Sequence, residues 1–196
     1  MQSYVVPRTQ VARSRNVERT RADILRAARE AFAARGYERS GLREIAATAG
    51  IDAALIVRYF GSKRKLFIEA VEPGVTIEPL LQLTRKNFGR EIVRWMLGLQ
   101  SHTADPFVTL LRSAGSDDVD TLVTTMLQKR VIEPLAKSLG PPNAEARAAL
   151  IITLLSGVCT YRNVLPLHAL REFSPATANW LRTMFQQLAD AEIAPK

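Results

Sequence analysis

The side chains best suited to recognising a partner lie between residues 40 and 63, in SGLREIAATAGIDAALIVRYFGSK. Arg43, Arg58 and Lys63 carry positive charge, and Ser40 and Tyr59 carry hydroxyls. Such groups bind phosphate oxygens, and an arginine can also grip a guanine edge through two parallel N–H donors. The scaffold implied around them narrows the chemistry. Leu42, Ile45, Ala46 and Ala49 recur at steps of three and four, which marks one face of a helix. Gly50 is the residue type that takes positive φ just past a helix end. Asp52 then offers an N-cap for a second short helix reaching about Tyr59, and Ser62 an N-cap for the next. Helix, glycine turn and helix is the geometry that lays a recognition helix in a DNA major groove.

On that scaffold each residue has an expected place. Arg58 is the only long cation of the recognition helix, and is expected at a guanine edge or a phosphate. Ala53 and Ala54 start the helix and allow close approach to base edges. Val57 can pack a methyl on a thymine methyl. Lys63 combines positive charge with the exposed N–H groups of a helix start, both favourable to phosphate. Ser40, Gly41 and Arg43 open the preceding helix and are placed to meet the DNA backbone. Residues 53–57 are poor in polar groups, so specificity is expected to lean on Arg58, apolar contacts and DNA shape.

Catalytic chemistry finds little support. There is no P-loop, G-x-S-x-G, H-E-x-x-H or cysteine pair. Gly61-Ser62-Lys63 echoes the tail of a phosphate loop without its strand and glycines. His102, His168 and Cys159 are too scattered for a metal site, so no metal and no cofactor is expected. Asp117, Asp118 and Asp120 cluster where acidic residues favour a helix start. The reading is a non-enzyme.

Charge agrees with a nucleic-acid partner. The chain has net charge +8, and residues 1–72 hold 14 Lys/Arg against 8 Asp/Glu while residues 73–196 hold 13 against 11. The basic excess therefore sits with the helix-turn-helix; the bland alternative is a solvated basic face with no partner. A single cysteine and the absence of a signal-like N-terminus suggest a cytoplasmic location. The longest apolar run, between Arg147 and Arg162, looks too short to span a bilayer, so no membrane partner is expected.

Everything organised reads as helical, giving an all-α chain of about nine helices. Residues 1–16 lack apolar periodicity and read as a flexible basic arm, or simply a disordered tail. A first helix over 17–35 places Ile24, Leu25, Ala28, Ala31 and Phe32 on one stripe, with Phe32 and Tyr37 packing against Ile45 and Phe60. Together with the helices over 42–49, 52–59 and 62–72 it makes a DNA-binding domain over 17–72. Pro73-Gly74 marks a seam. Residues 73–196 then hold helices near 83–101, 105–114, 117–139, 143–165 and 174–191, with Pro134 able to kink the third of these.

The run TRADILRAAREAFAARGYERSGLREIAATAGIDAALIVRYFGSKRKLF resembles the N-terminal domain of the TetR/AcrR family of bacterial transcriptional regulators. The matching positions are Ile24-Leu25, Ala27-Ala28, Phe32, Gly36, Ile45-Ala46, Ala49-Gly50, Tyr59-Phe60, Ser62-Lys63 and Leu66. The resemblance implies a homodimer that sets two recognition helices in successive major grooves of a palindromic double-stranded operator. It also implies a larger C-terminal helical domain for ligand binding and dimerisation, and release of DNA by a small-molecule effector, most often in a repressor. Tyr59 matches the family's phosphate-binding position, or else packs in the core. Where the family often has two hydroxyls, this chain has Ser40 and Gly41. The competing reading is a DNA-binding regulator controlled by a protein partner.

In the C-terminal part, Phe88, Trp95, Met96, Leu99, His102, Phe107, Met126 and Tyr161 could wall a mostly apolar effector pocket, although ordinary core would show the same spacing. Leu150, Leu154, Gly157, Val158, Tyr161 and Leu165 on one helix, with Trp180, Leu181, Met184, Phe185 and Leu188 on the last, are expected to form a two-fold interface of four helices. The alternative is that both helices only complete a monomer core.

Overall fold

The computed structural model describes residues 8–98, 106–115 and 117–191, with side chains from Asn16 onward except Arg171. Among these residues the chain is helical throughout, with no strand. The reading head is built from α1 (Arg8–Arg35), α2 (Leu42–Ala49), α3 (Ala53–Phe60) and α4 (Lys63–Val71). A 3-10 turn at Glu72–Gly74 follows, at the expected seam. Then come α5 (Glu78–Leu81), α6 (Phe88–Gly98), α7 (Pro106–Ser113), α8 (Asp120–Leu127), α9 (Glu133–Leu139), α10 (Ala144–Cys159), α11 (His168–Arg171) and α12 (Pro175–Asp190). Each expected helix has a counterpart, and the single-turn helices α5 and α11 add to them.

Local chemistry sets the boundaries of the reading head. Gly36 leaves α1 at φ 74° and Gly50 leaves α2 at φ 69°, a left-handed turn that glycine makes without a Cβ clash. The Asp52 carboxylate accepts the Ala54 N–H at 2.7 Å and so starts α3. Ser62 Oγ accepts the Lys65 N–H at 3.1 Å and starts α4. The start of α1 corrects the sequence reading. Residues 8–16 were expected in an irregular arm, yet they are helical. No glycine or proline interrupts the chain from Arg8 to Arg35, so the helix runs unbroken over that whole stretch. Residues 1–7 lie outside the described residues.

A single hydrophobic core runs through the molecule. In the reading head, Phe32, Tyr37 and Phe67 form an aromatic cluster, with Phe67 edge-on to both rings at 5.1 and 5.3 Å. Ile45 and Phe60 belong to the same core, but Phe67 is the ring that Phe32 and Tyr37 meet directly. Arg21 ties α1 to α4 through Glu69 and lies 5.1 Å from the centre of the Phe60 ring.

Two irregularities in the C-terminal part have identifiable causes. The helix expected over 117–139 contains a π-turn at Gln128–Ile132, just before Pro134. Proline has no N–H to donate, and its ring would meet the carbonyl four residues back, that of Arg130. The wider π-turn accommodates both, where the sequence suggested a kink. With a second π-turn at Thr160–Val164, the helix begun by α10 continues over Ala144–Val164, 21 residues of largely apolar composition. That meets the length and apolarity of a membrane span, which corrects the expectation that it is too short. The helix extends beyond the apolar run between Arg147 and Arg162 at both ends. Here Ile151, Ile152 and Leu155 are buried in the core, and the helix packs along α9 and α12.

Arg147, one of those flanking arginines, is 7% exposed. Its guanidinium donates to the carbonyls of Pro142 (2.9 Å), Leu188 (2.9 Å), Ala189 (3.0 Å) and Gly140. One cation thus closes the C-terminal ends of α9 and α12, where helix carbonyls are otherwise without donors.

Candidate nucleic-acid interface

The recognition helix presents a narrow outward face. Ile56 and Phe60 are buried, whereas Ala54, Val57 and Arg58 are exposed, at the three- and four-residue steps of one helical side. Val57 is 50% exposed, a large apolar side chain held in solvent by a well-capped helix. Ala53 and Tyr59 are half-buried, and both pack against the core. Tyr59 packs its ring against the domain, and part of its surface stays open. Gly41 and Arg43 are exposed at the start of α2. Among the described residues neither Arg43 nor Arg58 has a carboxylate partner within ion-pair distance.

The structure corrects one of the expected backbone contacts. Ser40 is fully buried, and its hydroxyl faces the carbonyls of Gly36 at 2.7 Å and Ala31 at 3.0 Å. It holds the turn after α1 rather than offering a donor outward. Lys63 is engaged as well: its Nζ donates to the Glu38 carbonyl at 3.2 Å and sits 4.3 Å from the centre of the Tyr37 ring. The ammonium clamps the loop between α1 and α2 onto α4. Side chains left open at the start of α4 are Arg64 and Lys65, and Arg39 is exposed on the loop. Sequence reasoning passed over these three. The run Lys63-Arg64-Lys65 was the signal, but which of three adjacent cations turns inward depends on Tyr37, which is distant in sequence.

One titratable group near the site is displaced. Burial pushes the Tyr37 phenol above its ordinary range, and the charges of Asp118 and Glu38 act in the same direction. Tyr37 therefore stays neutral and serves as packing and as the face for Lys63.

Among the described residues, the side chains expected to wall an effector pocket are divided between the packed core and the surface. Phe88, Met96 and Met126 are core residues at 3, 0 and 5% exposure. Trp95 and Phe107 are half-buried against that core, and Tyr161 is exposed. Leu99 and His102 lie outside the described residues. A groove of about 530 Å³ is present elsewhere, lined by Gln128, Ile132, Asn143, Ala144, Glu145, Ala146 and Ala149. Apolar residues at helical spacing mark a filled core as readily as a cavity wall, which is why the sequence could not separate them.

The expected dimer face divides in two. Leu150, Tyr161, Leu165, Trp180 and Met184 are 47–66% exposed, an unusual amount of large apolar surface on two neighbouring helices. Leu154, Gly157, Val158 and Leu188 are half-buried beside them. Leu181 and Phe185 are corrected: at 7 and 0% exposure they complete the protomer's own core. Leu167, 51% exposed, extends the open patch and was not anticipated.

Comparison with known proteins matches both parts of the chain. Residues 24–70 match the model of bacterial regulatory proteins of the tetR family, and residues 86–188 match a tetracyclin repressor-like C-terminal domain. The HTH-type transcriptional repressor NicS of Pseudomonas putida is 38% identical over 60 residues, which is 31% of this chain and only 28% of that protein. A TetR-family regulator from Streptomyces coelicolor A3 is 28% identical with a TM-score of 0.53, over 88% of this chain and 95% of the other. NalD, the secondary repressor of the MexAB-OprM multidrug efflux pump in Pseudomonas aeruginosa, shares the fold at 20% identity and a TM-score of 0.62, over 88% and 96% of the two chains. An outward recognition helix on an N-terminal helical head, joined to a matched C-terminal domain, places this chain in the TetR family of DNA-binding transcriptional regulators.

Proposed function

We propose that the protein is a homodimeric repressor that reads a palindromic operator through α3 and leaves it when a small, mostly apolar molecule binds the C-terminal part. The exposed face of Ala54, Val57 and Arg58 carries the DNA half of this reading. It supplies one base-reading cation and apolar contacts, so recognition combines Arg58 with DNA shape. Gly41 and Arg43 meet the sugar–phosphate backbone from α2, with Arg64, Lys65 and the free N–H groups at the start of α4 on the other side. Residues 17–72 act as the reading head, extended by the first turns of α1, and residues 73–196 bind the effector and the second protomer.

The exposure of Leu150, Tyr161, Leu165, Leu167, Trp180 and Met184 supports the dimer, because so many large apolar side chains left open are characteristic of an association surface. Two copies related by a two-fold axis would cover them mutually. Sedimentation analysis of the protein with a bound duplex tests the assembly, and a stoichiometry of two protomers per site is expected. A single protomer per site would overturn the dimeric reading. A thermal-shift screen tests the effector, since a ligand at 100 times its dissociation constant adds about 2.7 kcal/mol. Operator release by a protein and by none of the small molecules would favour control by a partner protein.

A further inference from the structure

We propose that Arg162, in the second π-turn, is an anion-binding residue of the C-terminal part, and that it takes the carboxylate of a small acid whose apolar body lies against Phe173 and the end of α6. This rests on the reading of residues 73–196 as an effector-binding part and names the chemical class of the effector.

The position of Arg162 follows from the chain around it. Pro166 stands two residues past the turn at Thr160–Val164, as Pro134 does past the turn at Gln128–Ile132. Its ring would meet the carbonyl four residues back, that of Arg162, and the wider turn accommodates it. The turn closes on itself: the Leu165 N–H donates to the Thr160 carbonyl at 2.9 Å, and the Leu167 N–H to the Tyr161 carbonyl at 2.8 Å. Those helix-end carbonyls have backbone donors and do not hold the guanidinium. Arg162 instead reaches α6, where one Nη donates to the Met96 carbonyl at 3.3 Å. Its guanidinium also lies 5.8 Å from the centre of the Phe173 ring. Three residues that the sequence grouped as pocket walls, Trp95, Met96 and Tyr161, make this contact or adjoin it in the chain.

The two arginines of this helix are used differently. Arg147, near its start, is 7% exposed and spends its donors on the carbonyls of two helix ends and their loop. Arg162, near its end, is half-buried and makes one long hydrogen bond. Among the described residues it has no carboxylate within ion-pair distance, although Glu172 stands beside Phe173 in the chain. A guanidinium carries five N–H donors in a planar fork, so most of these are left for a ligand. Thr160 and Asn163, half-buried on the same turn, likewise have no side-chain hydrogen bond among the described residues. A charge partly withdrawn from water attracts an anion more strongly than one on an open surface. A carboxylate matches the fork with two parallel bonds, which a neutral amide cannot supply. One cation balances one carboxylate, whereas a polyanion would bring charge that nothing else on this turn neutralises. Trp95, Val158, Cys159 and Phe173 are half-buried on the core around this turn, which favours an apolar body. The class that fits is a monocarboxylic acid on an aromatic or aliphatic frame.

Calorimetric titration of the full chain tests this with benzoate, phenylacetate and naphthoate, each beside its primary amide. At least one acid should bind about tenfold more tightly than its amide, the effect of one charged hydrogen bond. Arg162→Met should remove that preference, and Arg162→Lys should keep part of it. Arg29→Met, which removes an equal charge from an exposed position of α1, should leave it intact. Far-ultraviolet circular dichroism confirms that each variant keeps its helices. Absence of preference for any acid overturns the proposal, and so does a preference that survives in Arg162→Met. Acids and amides that bind alike, with or without Arg162, overturn the carboxylate site and leave the apolar effector reading standing. Binding by neither overturns both.

Discussion

Replacement of Arg147 by methionine is the most demanding test of how the C-terminal part is held together. The stem is kept and the guanidinium is removed. Four carbonyls, of Gly140, Pro142, Leu188 and Ala189, lose a charged donor. Hydrogen bonds from a charged group are worth roughly 1.5–3 kcal/mol each, so four of them set a gross loss of about 6 kcal/mol or more. Part of that is offset, because the buried cation no longer has to be desolvated. Burial opposes the charge here, and the nearby Arg85 opposes it further, so both hold the guanidinium below its usual range. A net loss of about 3 kcal/mol follows, within the span for removing one side of a buried charged network. Urea unfolding at fixed protomer concentration should show a lower midpoint at unchanged slope. Thermal unfolding should fall by about 6–12 °C for a chain of this size. Arg147→Lys should recover only part, since an ammonium has three donors and no fork. A change under about 0.5 kcal/mol for the methionine variant would refute the idea that one arginine closes α9 and α12.

Three further outcomes follow from the geometry. Arg58→Ala should cost about 1–3 kcal/mol at the preferred site and flatten the preference among sequences, measured as the ratio of specific to non-specific binding. Arg64→Ala combined with Lys65→Ala should weaken all sequences alike and lower the salt slope by about two, checked by titrations at several salt concentrations. Tyr37 has a raised folded-state pKa, so its contribution is fully present below about pH 10 and is lost as pH rises through the folded value. Tyr37→Phe should remove that part of the alkaline loss of stability in denaturant titrations from pH 8 to about 11.

Features decided by neighbouring residues were legible in the sequence. Asp52 and Ser62 cap their helices through bonds two and three residues ahead, and Gly36 and Gly50 stop theirs by their own backbone angles. Pro134 could be read as a disturbance because its missing N–H is a local fact, although the form of the disturbance, a π-turn, needed the whole helix. Features decided by distant partners were not legible. Lys63 turns inward because Tyr37 and the Glu38 carbonyl receive it, and nothing in Lys63-Arg64-Lys65 says which cation that will be. Ser40 looked like an outward hydroxyl at a helix start, yet the end of α1 folds over it. Arg147 marked the edge of an apolar run and proved to be buried at the meeting of two helix ends. On α12 the stripe of Trp180, Leu181, Met184, Phe185 and Leu188 was recognisable, but its division into open patch and core is set by packing that the spacing alone does not contain.

Selection of bound sequences from a random duplex library at about physiological salt tests the central claim most directly. A dimer reading DNA through α3 should recover a palindrome with half-sites about one helical turn, or a multiple of it, apart. The recovered preference should weaken in Arg58→Ala. Salt-sensitive binding that yields no motif would contradict the account, because it would reduce the interface to charge alone.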